Sequence, residues 1–582
     1  MYIGGSRHWR LHIAWRALAS AADSIARCQF VGRLVMPQDL AMPADDRAED
    51  ILLKGFLERL RGPGEPAARA ELVEALLSRF ADAAEMWRLT AEGLLRAGYA
   101  QTAVKVLDVA IQRFAGAPEL RYWRGNALRI GGHHADAEHD FRAVLAIVPD
   151  HREAAFSLAH MLREDGRFSA AVDVVCASLR ARPDDQRHFI AGLTFLRECD
   201  AHDQGCVLSA SARERWPESS EIAALAAEFS LATGDFDGAR AALHVALDGN
   251  AGDGMSWLRL AYCGRCTSDA APDFLRIEQA WRHCTHGGDL RTNLGFALGK
   301  MLSDIGDRSR AGTVLREANA AAAAQAKWRA HDWHAFVNRR LGDRGLPQTK
   351  PAVDYVPVFM VGLPRTGTTL AASLLARSGD LRNRGELNWI DAMYRLLDGQ
   401  GRLHDRGALA SVGALVSAQL RRDDPPAGWY LDKNPLNFRY LDLIAAIFPD
   451  ARIIHCRRGR RDTALSLWTQ RFAHADLGFS YDFSDIAAFM EGHDKLIEHW
   501  HRTLPLAWFD LEYEALARNP EETVRNMRRF LGMPDDRATD NTVDKQAITT
   551  ASVWQVRQPL YVSSINRWRA YAEYLPELER MF

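Results

Sequence analysis

Val361-Gly362-Leu363-Pro364-Arg365-Thr366-Gly367-Thr368-Thr369-Leu370 is the stretch on which the fold of this chain turns. The apolar run Val356-Pro357-Val358-Phe359-Met360 leads into it, and Leu370-Ala371-Ala372-Ser373-Leu374-Leu375 continues it in a helical pattern. A strand, a tight glycine turn and a helix N-terminus make a socket for phosphate, because backbone N–H groups point inward and the helix dipole favours negative charge. The spacing from Gly362 to Gly367 is that of G-x-x-x-x-G-K-[ST], but Thr368 stands in the lysine slot. A triphosphatase loop needs that lysine on the β- and γ-phosphates and Mg²⁺ at the next hydroxyl. Here the positive charge comes earlier, at Arg365, and Thr368 and Thr369 offer hydroxyl donors. Such a loop suits a nucleotide with one or two 5′ groups and no metal-bridged triphosphate. A decayed triphosphatase loop, or a glycine turn with no ligand, is the weaker reading.

A second patch has the same build. Arg452-Ile453-Ile454-His455-Cys456 runs into Arg457-Arg458-Gly459-Arg460-Arg461-Asp462, so a strand again meets a helix with arginines at its mouth. Arginine binds phosphate oxygens in bidentate fashion, which makes this fork a clamp for a second phosphate. Around both patches, apolar runs at Val356–Val361, Trp429–Leu431, Arg452–Cys456 and Leu506–Phe509 alternate with helical patterns at Thr369–Arg377, Phe438–Ile447, Asp462–Phe472 and Glu521–Leu531. Short continuous apolar runs between amphipathic helices predict a parallel sheet covered on both faces, with its ligand at the carboxyl ends of the strands.

Pro364-Arg365-Thr366-Gly367-Thr368-Thr369-Leu370 resembles the P-R-[ST]-G-T-T-L loop with which sulfotransferases bind the 5′-phosphosulfate of 3′-phosphoadenosine-5′-phosphosulfate (PAPS). The resemblance covers residues 354–582 and is nearest to the protein-tyrosine sulfotransferase-like branch, especially bacterial chains that carry tetratricopeptide repeats ahead of that domain. It implies an α/β P-loop-type domain in which Arg365, Thr366, Gly367, Thr368 and Thr369 hold the cofactor. It also implies 3′-phosphate binding by Arg458 and Ser466, which match the family's arginine and serine eight residues apart. Arg457 is the alternate, and Gly459 stands where the family usually has aspartate.

A hydroxyl acceptor is a poor nucleophile at neutral pH and needs a general base. Glu386, in Arg384-Gly385-Glu386-Leu387, resembles the family's R-x-G-E glutamate, although Asn383 occupies the arginine place. Lys433, in Leu431-Asp432-Lys433-Asn434-Pro435, matches the lysine that contacts the bridging oxygen and sulfonate. Resemblance alone assigns Ser552 to the bridging oxygen, Arg567 to the 3′-phosphate and Tyr513 to the cofactor's neighbourhood, from Ser552–Tyr561, Asn566-Arg567-Trp568 and Glu512-Tyr513-Glu514. The expected catalytic set is Glu386, Lys433, Arg365 and Ser552, with PAPS as co-substrate and no metal. His455, His474, His499 and His501 stand in no motif and are expected to be structural or surface residues.

The other half of the chain is periodic. Gly98, Gly132, Gly166 and Gly234 recur on a 34-residue period, with Asp200 in the skipped slot. Ala103, Ala137, Ala171, Gly205 and Ala239 follow five residues later, and Pro149, Pro183 and Pro217 share the period. This is the tetratricopeptide interval of about 34 residues. Glycine ends the first helix of each pair, a small residue lets the second pack closely, and proline stops it. Gly306 and Ala311 mark a late repeat after an irregular insertion at residues 254–290, and Ala320–Ala324 reads as a helix closing the array. The expected organisation is an N-terminal helical cap segment at 1–66, tetratricopeptide repeats at 67–342, a linker at 343–353 and the sulfotransferase domain at 354–582. Such an array would hold an acceptor protein or peptide on its concave face.

Bulk properties exclude other classes. A net charge of −2 over 582 residues argues against a general nucleic-acid binder. No apolar run reaches the roughly 18 residues that span a bilayer. Arg7, His8, Arg10, His12 and Arg16 interrupt the first residues, so no secretory signal is expected there. Eight scattered cysteines form no disulfide framework, and the Cys263-Gly264-Arg265-Cys266 pair is expected to be ordinary reduced thiols. The cytoplasm is the expected compartment. The reading is a sulfotransferase moving a sulfuryl group from PAPS to an acceptor hydroxyl, favouring a protein tyrosine. A polysaccharide or small alcohol is the alternative acceptor. A P-loop kinase or triphosphatase, and a non-catalytic repeat scaffold, are the rival functions.

Overall fold

A computed structural model of the chain describes residues 83–285, 287–343, 345–349, 353–377, 379–472, 474–534 and 564–582. They belong to two compact units, divided after His188. The expected cap at 1–66 lies outside the described residues.

The first unit is built from helix pairs: α1 (Ala84–Arg96), α2 (Ala100–Arg113), α3 (Pro118–Ile130), α4 (His134–Ile147), α5 (Arg152–Glu164) and α6 (Phe168–Ala181). The periodic glycines do what their spacing predicts. Gly98, Gly132 and Gly166 sit at φ of +86°, +82° and +79°, a left-handed turn that strains residues with a Cβ, β-branched ones most. Five residues on, Ala103, Ala137 and Ala171 are fully buried where one helix crosses the next.

α7 (Gln186–Glu198) straddles the division, and the second unit holds α8 (His202–Arg215), α9 (Ser220–Thr233), α10 (Phe236–Gly249), α11 (Gly254–Tyr262), α12 (Pro272–His283), α13 (Asp289–Ile305), α14 (Arg308–Gln325) and α15 (Ala330–Gly342). Asp200, in the glycine slot, adopts the same left-handed turn at φ +58°, which aspartate tolerates better than most residues. Gly205 lies against the Phe229 ring, which a Cβ would strike. The stretch expected to be an irregular insertion holds two helices, α11 and α12. The alanine run lies in α14, which packs with α13, and α15 follows it and docks elsewhere, through Trp333, whose indole N–H donates to Ala488 O at 3.1 Å. Cys263 and Cys266 are buried, their thiols donating to Arg259 O and Ser268 O.

Then comes a five-stranded parallel sheet in the order β2-β3-β1-β4-β5. Its strands are β1 (Val356–Gly362), β2 (Leu381–Asn383), β3 (Trp429–Asp432), β4 (Arg452–Arg457) and β5 (Ala507–Glu512). The intervening helices are α16 (Thr368–Ala376), α17 (Trp389–Gly399), α18 (Arg406–Arg421), α19 (Leu441–Ile447), α20 (Arg460–Trp468) and α21 (Phe483–Thr503); α22 (Tyr513–Arg518), α23 (Pro520–Leu531) and α24 (Glu577–Met581) follow β5. Val358 and Met360 point to one buried face of β1, Phe359 and Val361 to the other, as a doubly covered parallel sheet requires. β1 is central, with β3 on one side and β4 on the other, so the order reverses at its carboxyl end and a crevice opens there.

The end of α15 is tied to this domain by charge. Arg340, 1% exposed, pairs with the buried Asp442 of α19 and donates to Tyr394 OH at 2.9 Å. A buried pair adds little net stability, but removing one partner strands the other charge. Arg340→Ala is therefore expected to destabilise the second unit by about 3–5 kcal/mol, read as a lower urea midpoint.

Candidate active site

Each strand of the sheet delivers one sequence-predicted residue from its carboxyl end. The loop Leu363–Gly367 leaves β1, Glu386 follows β2, Lys433 follows β3, Arg458 follows β4 and Tyr513 follows β5. The loop is shaped by backbone conformations few residues adopt. Gly362 has φ +145° and Gly367 +90°, and Arg365 itself is left-handed at +73°. A Cβ on Gly362 would collide with the Cys456 carbonyl of β4, and one on Gly367 would come to 2.5 Å from the Tyr513 ring. Thr366 is buried, its hydroxyl donating to Leu363 O at 2.7 Å. The first N–H groups of α16, which have no intrahelical acceptor, open onto this turn.

The two arginine-bearing turns adjoin. Arg365 Nε donates to Ser466 Oγ at 3.0 Å, and Arg458 Nη1 donates to the Arg365 carbonyl at 3.1 Å. Arg458 also lies 4.5 Å over the Tyr513 ring and donates to Ser564 O at 2.8 Å. Tyr513 OH and Ser564 Oγ are 2.6 Å apart. Arg458 Nε and Arg461 Nε are buried with no hydrogen-bond partner among the described residues, donors suited to a phosphate oxygen. The residues present fit a nucleotide anion. Gly459, in the family's aspartate place, donates its N–H to Glu514 at 3.0 Å.

Glu386 and Lys433 face each other. Lys433 Nζ lies 2.7 Å from Glu386 Oε1 and 3.5 Å from Thr369 Oγ1. Lys433 is 2% exposed and the Glu386 side chain 46%, so the lysine is fixed and the carboxylate reaches solvent. Asp432, to which the sequence reading gave no role, holds the geometry. It accepts the N–H groups of Leu387 and Asn434 at 3.3 and 3.0 Å and the Asn437 amide at 2.9 Å. The exits of β2 and β3 are thereby laced together. Its place in L-D-K-N-P was the available signal. Arg384 is structural: buried, it spans Asp424 and the Leu420 and Arg421 carbonyls.

Ser552 lies outside the described residues. Arg567 does not join Arg458 directly; it is exposed, 5.8 Å over the Tyr571 ring. Its turn is held by Asp462, also missed, which accepts the N–H groups of Asn566 and Trp568 at 2.6 and 2.9 Å. Tyr262 of α11 reaches this neighbourhood from the helical array, its hydroxyl donating to Gln470 at 3.0 Å. Burial pushes its phenol up, while Arg365 and Arg567 pull it down. No sequence signal marks a contact that only tertiary packing creates.

With this geometry in place, the kinship is plain. Residues 357–537 match the sulfotransferase family and residues 122–186 the tetratricopeptide repeat, so the chain carries a sulfotransferase-family segment behind a repeat segment. An uncharacterized protein of Aquifex aeolicus (strain VF5) is 31% identical over 49% of this chain and 40% of its own length. Protein-tyrosine sulfotransferase 1 of Danio rerio is 24% identical over 36% of this chain and 65% of its own. The chain thus spans less than two thirds of either relative. The sulfotransferase domain of the Synechococcus PCC 7002 olefin synthase is 17% identical, covering 40% of this chain and 97% of that one, at a TM-score of 0.28. Among the described residues, no helix is long and apolar enough to cross a membrane.

Burial raises the Asp432 carboxyl to about 7, against the N–H donors that lower it. A value above that of the unfolded chain means the folded protein keeps a proton the unfolded chain has released. The group then costs nothing below about pH 4 and erodes stability as pH climbs towards 7. Asp432→Asn cannot ionise. Thermal melts from pH 4 to 7 should show the variant gaining on wild type, by at most about 1.4 kcal/mol per pH unit.

Proposed function

We propose that this protein transfers a sulfuryl group from PAPS to an acceptor hydroxyl, a protein tyrosine being favoured. Residues 354–582 would carry the chemistry, and the repeats of 67–342 would hold the acceptor chain. The observation that carries the reading is the Lys433–Glu386 pair, 2.7 Å apart, set beside Thr369 in the first turn of the anion-binding helix. A base and a cation meeting at an anion socket is what sulfuryl transfer to a hydroxyl needs.

PAPS supplies an activated sulfuryl group on a phosphate leaving group. The chain's residues do the rest. The N–H groups of the 363–369 loop and Arg365 take the 5′ end. Arg458, with its buried unpartnered Nε, takes the 3′-phosphate, and Ser466 links the two sockets through Arg365. Lys433 already holds Glu386 Oε1, so Oε2 is the oxygen that accepts the acceptor's proton. Lys433, buried and fixed, stabilises charge developing on the bridging oxygen. The Tyr513 ring, against Gly367, walls the nucleotide side. Ser552 and Arg567 are assigned on their motif, as further donors to the bridging oxygen and the 3′-phosphate. The tyrosine acceptor is supported by the name of the zebrafish relative and by the peptide-holding habit of tetratricopeptide arrays.

Radiolabelled PAPS offered with tyrosine peptides, glycans and small alcohols tests this. Label is expected on tyrosine peptides; label on glycans or alcohols alone overturns the acceptor, and no transfer with no nucleotide binding overturns the enzyme. Glu386→Gln should lower kcat by about 10²–10⁴-fold while adenosine 3′,5′-bisphosphate still binds by calorimetry. Arg458→Ala should do the reverse, weakening that binding by roughly ten- to a hundredfold, the loss of a charge-assisted hydrogen bond.

A further inference from the structure

We propose that His455, His501 and Asp510 form a binding site for a divalent transition-metal ion of the zinc type, at the β4–β5 edge of the sheet. One ring nitrogen from each histidine and one carboxylate oxygen lie within 4.8 Å of one another. Tetrahedral zinc, with bonds of about 2.0–2.2 Å, holds its ligands roughly 3.5 Å apart, so closing the site takes shifts of about an ångström.

Each side chain is held in place for this. His455 and Asp510 are register partners on adjacent parallel strands, and His455 Nδ1 lies 2.8 Å from Asp510 Oδ1. His501 comes from the last turn of α21 and is stacked on the Trp508 ring, 3.9 Å between centroids at 25°. The orphan carbonyls at that helix end add negative potential, which favours a cation. His455 is buried, and Nδ1 is the ring nitrogen turned toward Asp510. His501 and Asp510 are exposed, so an ion has a way in and a fourth position open to water.

The donor set selects the ion. Two imidazoles and a carboxylate suit zinc, cobalt or nickel, whereas magnesium and calcium prefer oxygen ligands throughout. Arg457, the nearest cation along β4, is offset by Glu512 at 3.6 Å. The bound ion would pin the end of α21 to β4 and β5, the strands that deliver Arg458 and Tyr513. Nothing in this depends on the transferase reading.

The test uses the full chain, stripped with a chelator and titrated calorimetrically with ZnCl₂ and CoCl₂, with MgCl₂ as control. Other histidines and cysteines also take up zinc, so the difference between variants is what counts. His501→Ala and Asp510→Asn should each lose one equivalent, or bind it at least about tenfold more weakly. They should also lose the zinc-induced rise in Tm seen in wild type. His331→Ala, at a fully solvent-facing histidine, should keep both. Circular dichroism of the stripped variants checks that they fold. If wild type binds no zinc, or a folded variant matches its stoichiometry and affinity, the cluster is only a histidine–carboxylate pair and the proposal falls.

Discussion

The close approach of β1 to β4 at Gly362 is the constraint on which the site rests. A side chain there would meet the Cys456 carbonyl, so only glycine lets the strand turn where it does. The turn that follows lays the Arg365 carbonyl within reach of Arg458 and the Arg365 guanidinium within reach of Ser466. The loop after β1 and the arginine turn after β4 become neighbours through this one missing Cβ. Gly367 repeats the device against Tyr513, which brings β5 into the same cluster.

On the other flank of β1 the organising group is a buried carboxylate. Asp432 joins the two strand exits that carry Glu386 and Lys433. Its burial is unfavourable in itself and is offset by backbone and amide donors. The Glu386–Lys433 pair, held this way, has its separation set by strand geometry and not by the flexibility of two long side chains.

How much of this could be read from the sequence follows from how local each signal is. The repeat glycines are legible because a left-handed turn is a property of one residue, and even Asp200 fills its slot by the same rule. The central strands are legible as unbroken apolar runs. β2, three residues long at the sheet edge, leaves no such run. The helical segment before β4 begins as a 3₁₀ turn at Pro435, earlier than its apolar period implies. The loop, Glu386, Lys433 and Arg458 sit in recognisable motifs. Asp432 stands inside the L-D-K-N-P motif, but its bond to Leu387 N–H comes from another strand exit; Asp462 acts through backbone N–H groups far along the chain and Tyr262 arrives from another layer, so no spacing betrays those contacts. Arg384, one residue off the motif's arginine place, is absorbed in a buried pair with Asp424.

The stretch between array and sheet, with Gly342, Gly345, Pro347 and Pro351, has the composition of a linker, but the contacts across it are those of an interior. Asn319 donates to the Trp468 carbonyl, Trp333 to that of Ala488, and Arg340 neutralises Asp442. Gly492 is small because the Trp333 indole occupies the space its side chain would need. Severing the chain at this stretch would open a fresh surface of stranded carbonyls, a bare carboxylate and an empty slot for an indole. The sheet domain is therefore better understood as including the helices that precede the linker than as a module that begins after it.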